Sequence, residues 1–139
     1  MVKFAETHPD RSVRILIADD DPLRGNGVAN LLQEMGFDAV GPISTEAEAV
    51  ALVKTQRLDL ALVNPSLFRT GVGRAIARML EQVQRLPCVF MVEADDHILK
   101  AELTGPYSSQ FLDLPLRPTQ VLLVVENALN RQLALNHAA

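Results

Sequence analysis

Short aliphatic runs alternate along the chain with longer stretches in which apolar residues recur at helical spacing. The aliphatic runs are residues 13–18, 37–41, 60–63, 88–92 and 111–112. A run such as 13–18, which is apolar at almost every position, is typical of a strand buried on both faces. Repeated alternation of strands and helices with short connections predicts a parallel sheet with helices on both faces. We therefore expect an α/β fold with a doubly wound, five-stranded parallel sheet.

Cap residues predict where the first helix starts and ends. Asp21 followed by Pro22 is typical of an N-cap and the first helical position. The helix should present Leu23 and Val28 on its buried face and end at Gly36.

A second cap pattern follows the second strand. Thr45 and Glu48 have the spacing of a capping box, in which each side chain satisfies backbone donors at the start of a helix. The pattern predicts that this helix buries Ala47, Val50 and Ala51.

Composition narrows the class of protein. The 139 residues include 13 basic and 17 acidic residues, a net charge of −4, which argues against a nucleic-acid groove. The single cysteine forms no internal disulfide, and no apolar run approaches the roughly 20 residues that span a bilayer. The first residues lack the apolar segment of a signal peptide. We expect a cytoplasmic protein with an N-terminal tail (1–12) and one domain (13–136).

Three consecutive carboxylates follow the first strand. Asp19, Asp20 and Asp21 repel one another at close range unless a cation or hydrogen-bond donors neutralise them. Mg²⁺ is a suitable counter-ion because it prefers oxygen ligands. The structural alternative is that Asp21 caps the helix while Asp19 and Asp20 interact with the helix dipole. The two interpretations are compatible.

Taken in order, these segments resemble the receiver domain of two-component response regulators. The resemblance covers roughly residues 13–134 and is carried by segments 14–23 (RILIADDDPL), 59–64 (DLALVN), 87–94 (PCVFMVEA) and 111–115 (FLDLP). It implies a flavodoxin-like (βα)5 sheet with strand order 2-1-3-4-5. It also implies that Asp19 and Asp20 stand at the family's magnesium-binding positions.

Three positions depart from the family pattern. Asn64 stands where the family has the phosphoacceptor aspartate, and a neutral amide is a poor nucleophile toward phosphorus. Glu93 replaces a Thr or Ser that would bind the phosphoryl oxygens, and Leu114 replaces the lysine that would pair with them. Every change opposes phosphorylation. The sequence also shows no basic residue near the predicted site, so we expect a degenerate receiver.

Two interpretations are open for metal binding by the acids that remain at the site. One hypothesis is weak binding of a divalent ion such as Mg²⁺ through Asp19, Asp20, the Ser66 backbone carbonyl and the Asn64 side chain. The alternative is an acidic pocket that holds only water. No cofactor is required by either interpretation.

Two further positions follow from the resemblance. Phe111 corresponds to the family's aromatic switch residue, although an aromatic residue in a short strand is more often part of the core. Leu114 and Pro115 correspond to the family's Lys-Pro pair, which implies a cis peptide bond.

A partner surface is expected on the last two helices. Receivers of this kind dimerise or bind partners through these helices and the last strand, and the corresponding apolar residues here are Ile98, Leu99, Leu122 and Leu129. A homodimer is one expected occupant. The alternative is that the last helix is apolar because it is well buried.

The leading hypothesis for function is a stand-alone receiver that acts by protein–protein contact without phosphorylation at Asn64. It is not an enzyme. Its partner would be a histidine kinase, a phosphotransfer protein or a downstream regulator, with no role for nucleic acid or membrane. The alternatives are a divalent-metal-dependent phosphohydrolase using Asp19, Asp20 and Asp21, and a receiver phosphorylated at another acid such as Asp20 or Asp21.

Overall fold

The computed structural model describes residues 12–64, Leu67, 86–103 and 111–138. The strands in these ranges are β1 (Arg14–Ala18), β2 (Asp38–Ile43), β3 (Leu60–Val63), β4 (Cys88–Glu93) and β5 (Phe111–Leu114). The helices are α1 (Pro22–Glu34), α2 (Glu46–Thr55), α3 (His97–Leu103) and α4 (Pro118–Ala138). The helix expected between β3 and β4, and most of the expected N-terminal tail, lie outside the described residues.

The five strands form one parallel sheet in the order β2-β1-β3-β4-β5. This confirms the doubly wound fold expected from the sequence pattern and the strand order implied by the resemblance. The order reverses around β1, which pairs with β2 on one side and with β3 on the other. Ala18 pairs with Val63 at the ends of their strands. The residues that follow them, Asp19 and Asn64, therefore lie at the same carboxyl edge of the sheet.

Alternate residues of the strands pack on opposite faces of the sheet, as the period of two in a strand requires. On one face, Leu16 and Phe90 belong to a cluster that includes Ala49 of α2. On the other face, Ile17 belongs to a cluster that includes Val28 of α1 and residues of α4. Burial on both faces explains why the central strands β1, β3 and β4 are apolar at nearly every position.

The predicted helix starts are confirmed. The Asp21 carboxylate accepts hydrogen bonds from the N–H groups of Leu23 and Arg24 at 3.0 and 3.3 Å. Thr45 Oγ1 accepts from the Glu48 N–H at 3.2 Å, and its own hydroxyl donates to the Glu48 carboxylate at 2.9 Å. These side chains satisfy backbone donors that have no partner within the helix.

Val28 is buried as predicted, but the assignment of Leu23 to the buried face of α1 and the predicted buried face of α2 are wrong. Leu23 is 84% exposed, because the buried residues of the helix, such as Gly25 and Val28, lie on the opposite side of α1. In α2 the buried residue is Ala49, whereas Ala47 and Ala51 are exposed and Val50 is only partly buried. Small apolar residues on both sides of α2 made the buried side ambiguous in the sequence.

Gly25 brings α1 close to the end of β2. A Cβ atom built at Gly25 would lie 2.6 Å from Pro42 Cβ and 2.8 Å from Pro42 Cγ, closer than carbon atoms can approach. A Cβ at Gly27, half a turn further on, would meet nothing within 4 Å. The lack of a side chain at Gly25 therefore allows the start of α1 to settle against β2, beside Asp19.

The expected partner surface is only partly at the surface. Leu129 is 5% exposed and belongs to the core cluster under α4, so its assignment to a partner surface was wrong. Leu99 is partly buried against the opposite cluster. Ile98 and Leu122 are exposed, and so is Leu123. Among the described residues, no helix combines the length and the apolar composition that crossing a bilayer requires.

Candidate functional site

The candidate site lies at the carboxyl edge of the sheet, where β1 and β3 end side by side. Asp19 directly follows β1, and its side chain is fully buried. Asn64 directly follows β3 and is also buried, with its backbone N–H donating to the Ala18 carbonyl at 2.8 Å. The structure therefore brings together the first acid and the position that the resemblance assigns to the phosphoacceptor.

Arg24, in the first turn of α1, pairs with the buried carboxylate of Asp19. Its Nε donates to Asp19 Oδ2 at 2.8 Å, and its Nη2 donates to Asp19 Oδ1 at 2.6 Å. This two-point geometry is the strong form of an arginine–carboxylate pair. The expectation that no basic residue lies near the site was wrong, since Arg24 is in direct contact with its central acid.

Two further donors complete the surroundings of Asp19. The Asn64 Nδ2 amide donates to Oδ2 at 3.2 Å, and the Asp21 backbone N–H donates to Oδ1 at 2.9 Å. Each carboxylate oxygen thus accepts two hydrogen bonds, which matches the roughly four lone-pair positions of a carboxylate. A buried charge needs this degree of compensation, because burial removes its hydration.

The guanidinium of Arg24 also lies near the two other acids. Its Nη2 is 3.4 Å from Asp20 Oδ1, and its Nη1 is 3.8 Å from Asp21 Oδ2. One cation among three carboxylates leaves a local charge of about −2 when all groups are ionised. The hydrogen bond to Asp19, reinforced by the charges of the three acids and opposed by burial, raises the pKa of Arg24 above its usual value.

A signal for Arg24 was present in the sequence and was missed. A cation in the first turn of a helix is unfavourable, because the helix dipole makes that end positive. Arg24 nevertheless stands there, four residues after Asp20 and five after Asp19. A basic residue at an unfavourable helix position, directly after an acidic cluster, indicates an internal ion pair.

Leu114, at the position of the family's lysine, lines an apolar cavity beside Arg24. The cavity has a volume of about 230 Å³ between α1 and the ends of β4 and β5, and its other walls include Val28, Met91 and Leu116. The Leu114–Pro115 peptide bond is cis, as the resemblance implied. An aliphatic side chain here supplies no positive charge for a phosphoryl group.

Two other predicted positions lie on β4 and β5. Glu93 is exposed at the end of β4, where it pairs in register with Leu114. Phe111 is partly buried, and its ring centroid lies 6.3 Å from that of Phe90 in the core. Phe111 therefore packs as part of the core in this conformation. Ser66, included in the expected metal site through its backbone carbonyl, lies outside the described residues.

Lys100 is a second cation that the sequence analysis did not single out. Its Nζ lies 3.0 Å from Asp113 Oδ1 and donates to the Ala94 carbonyl at 3.0 Å. The pair ties α3 to β5. Because Lys100 is held by these two acceptors, it does not take the place of the lysine that Leu114 replaces.

The chain matches the family model described as the response regulator receiver domain over residues 15–126. It is 26% identical over 125 residues to the phyllosphere-induced regulator PhyR of Methylorubrum extorquens. The aligned region covers 89% of this chain and 46% of that protein. The chain thus spans about half the length of this curated relative.

Solved structures show the same fold. The anti-anti-sigma factor PhyR of Bartonella quintana has a TM-score of 0.76 at 21% identity, over 93% of this chain and 52% of that one. A second structure is the receiver domain of the sensor histidine kinase PA1611 of Pseudomonas aeruginosa, which has a magnesium ion in its active-site cleft. Its TM-score is 0.70 at 16% identity, and the match covers 86% of this chain and 99% of that one. By its sequence match, its strand order and the position of its acidic edge, this chain belongs to the response regulator receiver domain family.

Proposed function

We propose that this receiver domain signals by contact with another protein and accepts no phosphoryl group at position 64. Asn64 is the observation that carries the proposal. Its side chain is a buried amide that donates a hydrogen bond to Asp19, whereas a phosphoacceptor must present a negatively charged oxygen. Position 64, where the phosphorylation reaction needs a nucleophile, is thus occupied by an amide that stabilises the neighbouring Asp19 carboxylate.

The electrostatics of the site support the same proposal. A phosphodonor is an anion, and the site presents three carboxylates, with Glu93 exposed at the end of the neighbouring strand. Arg24 is already held by Asp19, and Leu114 is apolar. In the part of the chain that the structure describes, an incoming phosphate would therefore meet net repulsion at this edge.

Incubation with acetyl phosphate and Mg²⁺, followed by intact-mass measurement, tests the proposal. We expect the wild-type mass to stay unchanged, while a receiver with an aspartate acceptor, treated in parallel, gains one phosphoryl group. Modification mapped to Asp20 or Asp21 would support a displaced acceptor instead. Turnover of a generic phosphate ester with Mg²⁺ would support the phosphohydrolase alternative. Either result would contradict a receiver that acts by protein contact alone, and a phosphoryl group mapped to Asn64 would contradict the assignment of position 64.

We also propose that the contact is made with a signalling protein in the cytoplasm: a histidine kinase, a phosphotransfer protein or a downstream regulator. One similar protein, PhyR of Bartonella quintana, is described as an anti-anti-sigma factor, a name that implies action on another protein. That protein is about twice the length of the matched region, so the comparison supports a protein partner without specifying which one.

The exposed apolar residues of α4 are the proposed contact surface. Leu122 and Leu123 are 43% and 58% exposed, and Ile98 on α3 is 77% exposed. Leu122 and Leu123 are consecutive, and contiguous apolar groups exposed to water are typical of interaction surfaces. A second copy of the chain is the occupant that can be tested without knowing the natural partner.

Leu122→Glu should abolish self-association, because a charge buried in an apolar interface loses its hydration. Light scattering of the wild type should give the mass of a dimer, and the variant should give that of a monomer. Ala51→Glu, which places the same charge on the exposed side of α2, should remain dimeric. An identical monomeric mass for all three proteins would rule out the homodimer.

A further inference from the structure

We infer that Arg24 is the built-in counter-cation of this site and excludes divalent metal ions from it. Receiver domains include examples with magnesium in the cleft, as in PA1611 of Pseudomonas aeruginosa. The residues of this chain do not fit such an ion. The Asp19 carboxylate, the most buried of the three acids, already accepts four hydrogen bonds from protein donors.

Coordination chemistry makes the two cations mutually exclusive. Mg²⁺ binds a carboxylate oxygen directly, at about 2.0–2.1 Å, and demands near-octahedral geometry. To reach Asp19, the ion would have to displace one of four donors: Nη2 of Arg24 or the Asp21 N–H from Oδ1, or Nε of Arg24 or the Asn64 amide from Oδ2. The guanidinium is tethered one helical turn away, so the ion would also bind beside a like charge.

The orientation of the Asn64 side chain also argues against a metal ion at this site. Asn64 presents its Nδ2 donor, not its carbonyl oxygen, to Asp19. An amide bridging to a metal would present the oxygen, since only the oxygen is a ligand for Mg²⁺. Among the described residues, no group of three or more His, Cys, Asp or Glu side chains has an arrangement that could hold a metal ion.

Arg24 also has a mechanical role that a diffusible ion would not provide permanently. Through Asp19 and Asn64, it joins the first turn of α1 to the ends of β1 and β3. The arrangement of this edge is therefore independent of the metal concentration. This inference does not depend on the proposed function, because a contact-only receiver could bind or exclude metal.

Titration of the full chain with Mg²⁺ by calorimetry, and with Mn²⁺ by NMR, tests the inference. The wild type should show no saturable heat and no selective broadening of the amide signals of Asp20 and Asn64. Arg24→Ala removes the competing cation and should give saturable Mg²⁺ binding, with a dissociation constant about tenfold or more below the lower limit set by the wild-type titration. Arg57→Ala removes the same charge from an exposed position ahead of β3, at the opposite edge of the sheet, and should behave as the wild type.

Arg24→Gln serves as a second variant, because it keeps a donor for Asp19 without the charge and so protects the fold. It should also gain Mg²⁺ binding. Saturable Mg²⁺ binding by the wild type, with broadening at Asn64, would overturn the inference. Failure of a folded Arg24→Gln protein to gain any binding would overturn it equally. A failed phosphorylation test would leave both results unaffected, so the two proposals fail separately.

Discussion

Asn64→Asp alone should leave the protein almost unmodified by acetyl phosphate and Mg²⁺. The new carboxylate would stand where the Asn64 amide now donates to Asp19 at 3.2 Å, so a hydrogen bond becomes a like-charge contact. Leu114 still supplies no cation, and Glu93 still adds negative charge at the end of β4. A nucleophile is restored, but the groups that stabilise the transferring phosphoryl group are not.

Restoring those groups should restore the reaction. Adding Glu93→Thr and Leu114→Lys to Asn64→Asp should raise the phosphorylated fraction by about tenfold or more, since one well-placed donor or cation contributes about 10²–10³ in rate. Adding Arg24→Ala to this triple variant should raise the fraction again, and only when Mg²⁺ is present. Intact-mass time courses with and without EDTA measure each step.

Two outcomes of these phosphorylation experiments would contradict the predictions. Robust phosphorylation of the single Asn64→Asp variant would show that Glu93 and Leu114 matter little. A triple variant whose phosphorylation is fully Mg²⁺-dependent before Arg24 is changed would show that Arg24 does not exclude the ion. Asn64→Ala, which removes the hydrogen bond without supplying a nucleophile, is the matched control for altered folding.

Gly25→Ala should destabilise the protein, whereas Gly27→Ala should stabilise it. Alanine is favoured over glycine in a helix by about 1 kcal/mol, and this gain applies to both sites. At Gly27 nothing lies within 4 Å of the new methyl group, so the full gain is expected. At Gly25 the methyl group would lie 2.6 Å from Pro42 Cβ, and overpacking of this kind costs about 1–3 kcal/mol.

Thermal unfolding of the two variants measures the difference. For a domain of this size, 1 kcal/mol corresponds to roughly 2–4 °C in Tm, so we expect a rise for Gly27→Ala and a fall for Gly25→Ala. A Cβ at Gly25 also lies 3.6 Å from Asp19 Cβ, so its displacement should reach the site and shift the NMR signals of Asn64. Equal stabilisation by both substitutions would show that α1 moves away from β2 freely.

The sequence determined the scaffold because its signals are local and repeated. Apolar runs marked all five strands to within two residues at each end; the second, fourth and fifth strands continue past their runs, to Ile43, Glu93 and Leu114. Cap residues located the starts of α1 and α2. The alternation of strands and helices predicted a doubly wound parallel sheet, and the resemblance to receiver domains supplied the strand order.

Once the resemblance had assigned roles to positions 64 and 114, the identity of the residues there predicted a degenerate site, which stays a prediction. An amide at position 64 and an aliphatic side chain at position 114 lack the required charge in any conformation. Their chemistry is a property of the residue, and the register of β1 and β3 only had to bring Asp19 and Asn64 to the same edge.

Tertiary structure alone decided which contacts these residues make. Arg24 reaches the buried carboxylate because the approach of Gly25 to Pro42 places the first turn of α1 against the end of β2, beside Asp19. The same kind of packing hides Leu129 and exposes Leu122 on one continuous helix. Sequence patterns indicate the chemistry of each side chain. The distance between two elements depends on how the whole sheet and its helices pack. Arg24 pairs with Asp19 because this packing brings α1 within hydrogen-bond distance of the end of β1.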